Sequence, residues 1–195
     1  SLLHIDVDCY GDNTGELGVF VTGGTAPYDF IIETLGGETL DAVSNIGGSE
    51  YSISGLESGT YVVSSEDANN ILISTEITII QPEDPISLTS DISDFNGYQI
   101  SCFGASNGSI NIAASGGGGT DNLTSYTYTW KRNATDFTPQ SPSTSDSLVG
   151  LSPGSYEVTV VDDVGCLYVE TFVISQPDPL VVSGQLSNYS GFNIS

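Results

Sequence analysis

Gly55-Leu56-Glu57-Ser58-Gly59-Thr60-Tyr61-Val62-Val63 returns 95 positions later as Gly150-Leu151-Ser152-Pro153-Gly154-Ser155-Tyr156-Glu157-Val158. In each copy a glycine-bounded turn runs into alternating side chains. Tyr156, Val158 and Val160 fall on one side with Glu157 and Thr159 opposite, the period-two pattern of a half-buried strand. Cys9-Tyr10-Gly11-Asp12-Asn13-Thr14-Gly15 likewise returns as Cys102-Phe103-Gly104-Ala105-Ser106-Asn107-Gly108, 93 positions on. Ile79-Ile80-Gln81-Pro82 matches Ile174-Ser175-Gln176-Pro177. A third phase opens at Asn188-Tyr189-Ser190-Gly191-Phe192-Asn193-Ile194-Ser195, which repeats Asp94-Phe95-Asn96-Gly97-Tyr98-Gln99-Ile100-Ser101 and predicts Cys as the parent's next residue. The chain is a tandem repeat.

Each copy reads as seven short strands between turn residues, so the expected fold is all-β, with tandem immunoglobulin-like β-sandwich repeats. Residues 1–85 form the first repeat, its opening strand cut off because residues matching 86–97 would precede Ser1. Residues 86–179 form the second, and 180–195 start a third or add a C-terminal strand. In the second repeat the strands are expected near 86–93, 98–104, 109–115, 126–132, 144–149, 155–162 and 166–175. Tyr126, Tyr128 and Trp130 share one face of their strand and should meet Tyr156, Val158 and Val160 in the core.

Composition agrees. The 195 residues hold 23 Gly and 8 Pro among short Val, Ile, Tyr and Thr runs, and 38 % hydrophobic residues can fill two modest cores. Two Lys plus Arg against 25 Asp plus Glu give a formal charge of −23, which excludes nucleic acid and anionic lipid surfaces as partners. No apolar run approaches the ~18 residues of a spanning helix, so direct membrane insertion is not expected, and Ser1 to Asp6 have no signal-peptide character. With no Met, the chain is expected to be a segment of a longer protein.

Three Cys in so acidic and Lys-poor a chain fit a protein that has crossed an oxidising compartment. If successive strands run up and down, Cys102 and Cys166 lie at the same end of the second sandwich, and a disulfide between them is geometrically allowed. It would close 64 positions, worth roughly 4 kcal/mol on the chain-entropy argument. Asn70 is placed where Cys166 falls, so Cys9 is expected to be the thiol left over, read as a small buried apolar residue in preference to a reactive or intermolecular thiol.

Several motifs carry less than they promise. Gly150-Leu151-Ser152-Pro153-Gly154 matches a nucleophile elbow, but Glu57 stands at the serine's place in the first copy and His4 is the chain's one histidine, so the segment reads as a turn. Gly116 to Gly119 precede neither a Lys-Ser nor a helix and read as a loop. Asp6 to Asp12 misplace residues of a calcium loop, with Tyr10 fifth and Leu17 twelfth. Topology should gather Glu83 and Asp84 of the linker with Asp162 and Asp163 of the last turn. Four carboxylates there would repel unless solvated or bridged by Ca²⁺, and both alternatives stand; no other cofactor is called for.

In these residues the chain resembles the SprB repeat family of large surface adhesins of gliding Bacteroidota. The resemblance rests on Cys102-Phe103-Gly104, Asn107-Gly108, Gly23-Gly24-Thr25-Ala26-Pro27-Tyr28, Leu151 to Val158, Val161 to Cys166 and Gln176-Pro177. It departs from the pattern at Asn70 and in the Gly116 to Gly119 loop with its insertion. It implies type IX secretion, display outside the outer membrane of a Gram-negative cell, and a role in attachment and gliding. The implied partners are the substratum or cell-surface polysaccharide and neighbouring repeats of the same chain. Asp146-Ser147-Leu148 resembles the Asp-Ser/Thr-aliphatic O-glycosylation site of Bacteroidota, with Ser147 as acceptor. Asn122-Leu123-Thr124 and Asn133-Ala134-Thr135 fit the N-linked signal of eukaryotic hosts.

The expected function is therefore a non-catalytic adhesin stalk, with short Pro-containing joints at 81–85 and 176–179 limiting swing between repeats. The rival is a carbohydrate-binding module, for which Tyr10, Tyr51, Tyr168 and Tyr189 are unassigned aromatic candidates. A hydrolase is disfavoured, since the chain lacks a base and a His cluster.

Overall fold

The computed structural model describes residues 2–118, 125–136, 147–184, 187–189 and 192–194. Gly119, Asn122 to Thr124, Asp146 and the part of the expected 144–149 strand before Ser147 lie outside the described residues. Among the described residues every regular element is a β-strand.

Seven strands fall within the first 79 residues: β1 (Leu2–Ile5), β2 (Gly15–Phe20), β3 (Tyr28–Thr34), β4 (Thr39–Ile46), β5 (Glu50–Leu56), β6 (Gly59–Glu66) and β7 (Leu72–Ile79). They form two antiparallel sheets, ordered β1-β2-β5 and β4-β3-β6-β7. Alternation decides their inward faces. Leu17 and Val19 of β2 are buried with Tyr28, Phe30 and Ile32 of β3, Tyr61 and Val63 of β6, and Ile79 of β7. Fully burying a side chain such as Phe30 contributes about 1.5–3 kcal/mol, and its stacking on Tyr51, centroids 5.6 Å apart, adds to that.

The opening strand is present, contrary to the expectation that it is cut off. β1 pairs with β2 from Leu2↔Val19 to Ile5↔Glu16. Its exit is then fixed by two bonds to the end of β7, Val7 N–H to Ile80 O at 2.9 Å and Ile80 N–H to Asp6 Oδ1 at 2.9 Å. β1 is an edge strand, held by its ladder with β2 and by these two bonds.

The later strands are β8 (Ser87–Ile92), β9 (Gly108–Ser115), β10 (Tyr126–Arg132), β11 (Thr135–Asp136), β12 (Ser147–Leu151), β13 (Gly154–Asp162) and β14 (Leu167–Ile174). They form sheets ordered β12-β9-β8 and β11-β10-β13-β14. No strand covers 98–104. Asn96 and Gly97 adopt positive φ of 64° and 94°, Gly97 N–H bonds to Asp94 Oδ1 at 2.7 Å, and the reversal leaves an isolated Phe95↔Tyr98 bridge. The third sequence phase behaves alike: β15 (Ser187–Tyr189) and β16 (Phe192–Ile194) pair with Tyr189 opposite Phe192.

The chain divides into two compact units, Ser1–Thr89 with Ala113–Tyr128 and Thr159–Val169, and Ser90–Ile112 with Thr129–Val158 and Glu170–Ser195. The second unit's core is built on Ile110, Trp130, Leu148, Tyr156, Val158 and Ile174, each 1 % exposed or less. Trp130 tilts against Phe172 with centroids 6.2 Å apart. Tyr126 and Tyr128 are half-buried. Both basic residues end β10: Lys131 pairs with Glu157 at 3.6 Å, while Arg132 donates to Pro153 O at 2.9 Å and lies over the Tyr156 ring.

Candidate functional site

The repeated Tyr of the opening motif is a tyrosine corner in both copies. Tyr61 OH donates to Glu57 O at 2.7 Å and Tyr156 OH to Ser152 O at 2.9 Å, pinning each turn to the strand that follows. Burial raises both phenol pKa values above 10.0. Ser152 is thus part of a turn, its hydroxyl 2.7 Å from that of Ser106.

After each of these strands comes an aspartate loop. Asp162 is buried, and its Oδ1 accepts from the N–H groups of Val164, Gly165 and Cys166 at 3.2, 2.9 and 2.8 Å. Its Oδ2 accepts from Gly118 N–H at 2.7 Å. Asp67 is the counterpart: Oδ1 takes Asn69 and Ile71 N–H at 2.9 and 3.0 Å, and Oδ2 takes Thr25 N–H at 3.0 Å. These donors, Ile71 N–H foremost, hold the Asp67 carboxyl below 3.8. The glycine loops match too, with Tyr28 OH on Gly23 O at 2.8 Å and Tyr126 OH on Gly116 O at 2.6 Å. The run of glycines is required there. At φ +65° a Cβ on Gly117 would stand 2.7 Å from Asp162 Oδ2, and one on Gly116 would stand 2.1 Å from Pro85 O.

The loops correct the sequence register. Asp67 N–H bonds to Ile71 O and Asp162 N–H to Cys166 O, each at 3.1 Å, so Ile71 holds the place of Cys166. Asn70, at φ 61°, is the counterpart of Gly165, at φ 100°. Both supply the left-handed residue that closes the loop.

Cys166 is bonded to Cys9, not to Cys102 as expected. The Cα atoms are 5.5 Å apart and the bond spans 157 positions. Both cysteines lie in the first compact unit; in sequence, the bond joins the opening motif of the first repeat to the closing loop of the second. Cys102 is a free, exposed thiol. The physical reason is that 98–104 is not a strand. Gly104 N–H bonds to Gln176 Oε1 at 2.8 Å, beyond the C-terminal end of β14, whereas Cys166 precedes its N-terminal end. Eight strand residues cover about 26 Å at ~3.3 Å each, far beyond the Cα separation a disulfide allows.

Beside the bond is a hollow walled by Tyr10, Asp12, Pro85, Ile86, Gly117 and Leu167. The four carboxylates proposed for Ca²⁺ do not form a cage. Among the described residues no three His, Cys, Asp or Glu side chains converge, Glu83, Asp84 and Asp163 are exposed, and Asp162 already receives four N–H groups. Sequence spacing located Asp162 but not its role, which the matching Asp67 position could have revealed. Ser147 opens β12 with its hydroxyl donating to Asn111 Oδ1 at 2.6 Å. Of the unassigned tyrosines, Tyr10 is exposed, while Tyr51 donates its hydroxyl to Asp41 Oδ2. Tyr168 is half-buried, and the side chain of Tyr189 lies outside what is described.

Two antiparallel sheets around alternating inward side chains make this an immunoglobulin-like, fibronectin-III-like fold. The SprB repeat family model matches the chain twice, at residues 6–37 and 98–135. No relative was found among curated proteins. Among solved structures, three N-terminal domains of the outer capsid protein Hoc of bacteriophage RB49 are similar at TM-score 0.47 and 11 % identity, over 90 % of this chain and 58 % of that one. The C-terminal 282-residue fragment of intimin is similar at TM-score 0.41 and 15 % identity, over 90 % and 63 %. A two-domain fibronectin type-III segment of chicken tenascin gives TM-score 0.33 and 12 % identity, over 90 % and 98 %. The chain thus spans less than two thirds of the Hoc and intimin fragments.

Proposed function

We propose that this chain is a non-catalytic stalk segment of a secreted adhesin displayed outside the outer membrane, exported by the type IX route and used for attachment and gliding. The observation that carries this reading is the double SprB repeat match, reinforced by matching tyrosine corners and aspartate loops in the two copies. A charge of −23 suits a hydrated surface filament held off anionic surfaces. The partners are the substratum or a surface polysaccharide, and further repeats. Antibody raised against the segment should label intact cells of the source organism, and Fab fragments should reduce their attachment and gliding. Labelling that needs lysis, or unchanged attachment under saturating Fab, overturns the reading.

A second reading, carbohydrate binding, is favoured by the exposed aromatic residues Tyr10 and Phe103, at 48 % and 55 % exposure. If correct, a glycan retained by the segment would be released by Tyr10→Ala or Phe103→Ala.

A further inference from the structure

Cys102 has a bonded twin. Cys9 and Cys102 open the same motif, and its backbone bond repeats: Asp12 N–H to Cys9 O and Ala105 N–H to Cys102 O are both 3.1 Å. Gly11 and Gly104 share φ of 80° and 79°, and their N–H groups bond to Gln81 and Gln176 Oε1 at 2.9 and 2.8 Å. Each motif is thereby fastened beyond the last strand of its own copy, with an aromatic residue, Tyr10 or Phe103, exposed beside the sulfur. Cys9 in this setting is bonded to the Cys that closes the aspartate loop of the copy after it, while Cys102 in the same setting is free.

We propose that Cys102 forms a disulfide with a cysteine of the next repeat of the parent chain, at the place Cys166 holds in this one. The rule is that each opening Cys bonds to the loop-closing Cys of the following copy. Residues 188–195 repeat 94–101, the segment that leads into Cys102. The rule also accounts for Ile71: at the loop-closing place of the first copy an exposed isoleucine stands instead of Cys, so this copy accepts no bond from one before it. In forming the bond, two thiols lose two protons and two electrons to the disulfide of a thiol–disulfide oxidoreductase, which leaves as a dithiol. The inference rests on the tandem-repeat part of the proposed function and not on attachment.

The test is disulfide mapping of the full parent protein, taken from the cell surface. Free thiols are alkylated without reduction, the protein is cut with a protease acting at acidic residues, and linked peptides are identified by mass spectrometry. The expected result is a Cys102 peptide joined to a cysteine that follows an Asp-x-x-Gly segment about one repeat beyond Cys166. Alkylated Cys102, a Cys102–Cys166 link with Cys9 alkylated, or a Cys102 link to a second chain each overturns the proposal. In the 195-residue chain itself one thiol should be alkylated, at Cys102, and Cys102→Ser should leave Cys9–Cys166 intact. A Cys102→Ser chain with scrambled or free Cys9 also counts against the rule. Since mapping reads connectivity alone, its outcome is separate from any attachment result.

Discussion

Asp162 shows how one buried carboxylate can decide a loop. Four backbone N–H groups end on it, two of them buried and two part-buried, and removing it leaves all four without this partner. Each orphaned donor costs about 1–3 kcal/mol, with part recovered by relaxation, so Asp162→Ala should destabilise the chain by about 3 kcal/mol or more in urea denaturation. A loss below ~1 kcal/mol would mean that the loop closes without it. Tyr51 gives a pH signature. The Asp41 carboxylate accepting its hydroxyl, with burial, pushes its pKa from 10.0 up to about 12. The folded state therefore holds this proton more tightly, and the stability it adds is complete below pH 10 and disappears as pH rises toward 12. Tyr51→Phe should flatten that alkaline limb; an unchanged slope between pH 10 and 12 would contradict the assignment.

At the scale of elements, the tyrosine corners join a turn to a strand through one hydroxyl each. Tyr61→Phe and Tyr156→Phe remove a hydroxyl and leave the ring, so each should cost about 1 kcal/mol, and as distant sites their effects should add. A cost near zero in both would demote the corner to a by-product of packing. These strands were legible because alternation and a glycine-bounded turn are local signals. The reversal at Asn96-Gly97 was not read, since Tyr98 to Gly104 alternates well enough to pass for a strand. What overrides that pattern is a positive-φ turn capped by Asp94, together with the distant Gln176 side chain. β11 was missed for a simpler reason: two residues carry no period.

For the whole molecule, the sandwich fold and the repeat were readable, but the disulfide was not. Pairing Cys102 with Cys166 depended on which end of the sandwich each occupies, and one misread strand moved Cys102 to the other end. The acidic joint was misjudged for a related reason. Carboxylates near in sequence logic look like a cation site, yet Asp162 spends both oxygens on backbone donors. With 25 Asp and Glu, all added salts relieve surface repulsion. CaCl₂ and MgCl₂ at matched ionic strength should therefore raise Tm equally, and a rise specific to Ca²⁺ that Asp162→Asn abolishes would restore the cation site. The scarcity of basic residues has a different outcome. Trypsin cuts after Lys or Arg, and its two targets, Lys131 and Arg132, are paired within β10 and lie between Cys9 and Cys166. The folded chain should resist the protease. Once unfolded without reductant it should be nicked and still migrate as one piece on a gel, separating into two fragments only when the sulfur bridge is reduced. Such a chain would keep its two ends connected after a break in its backbone.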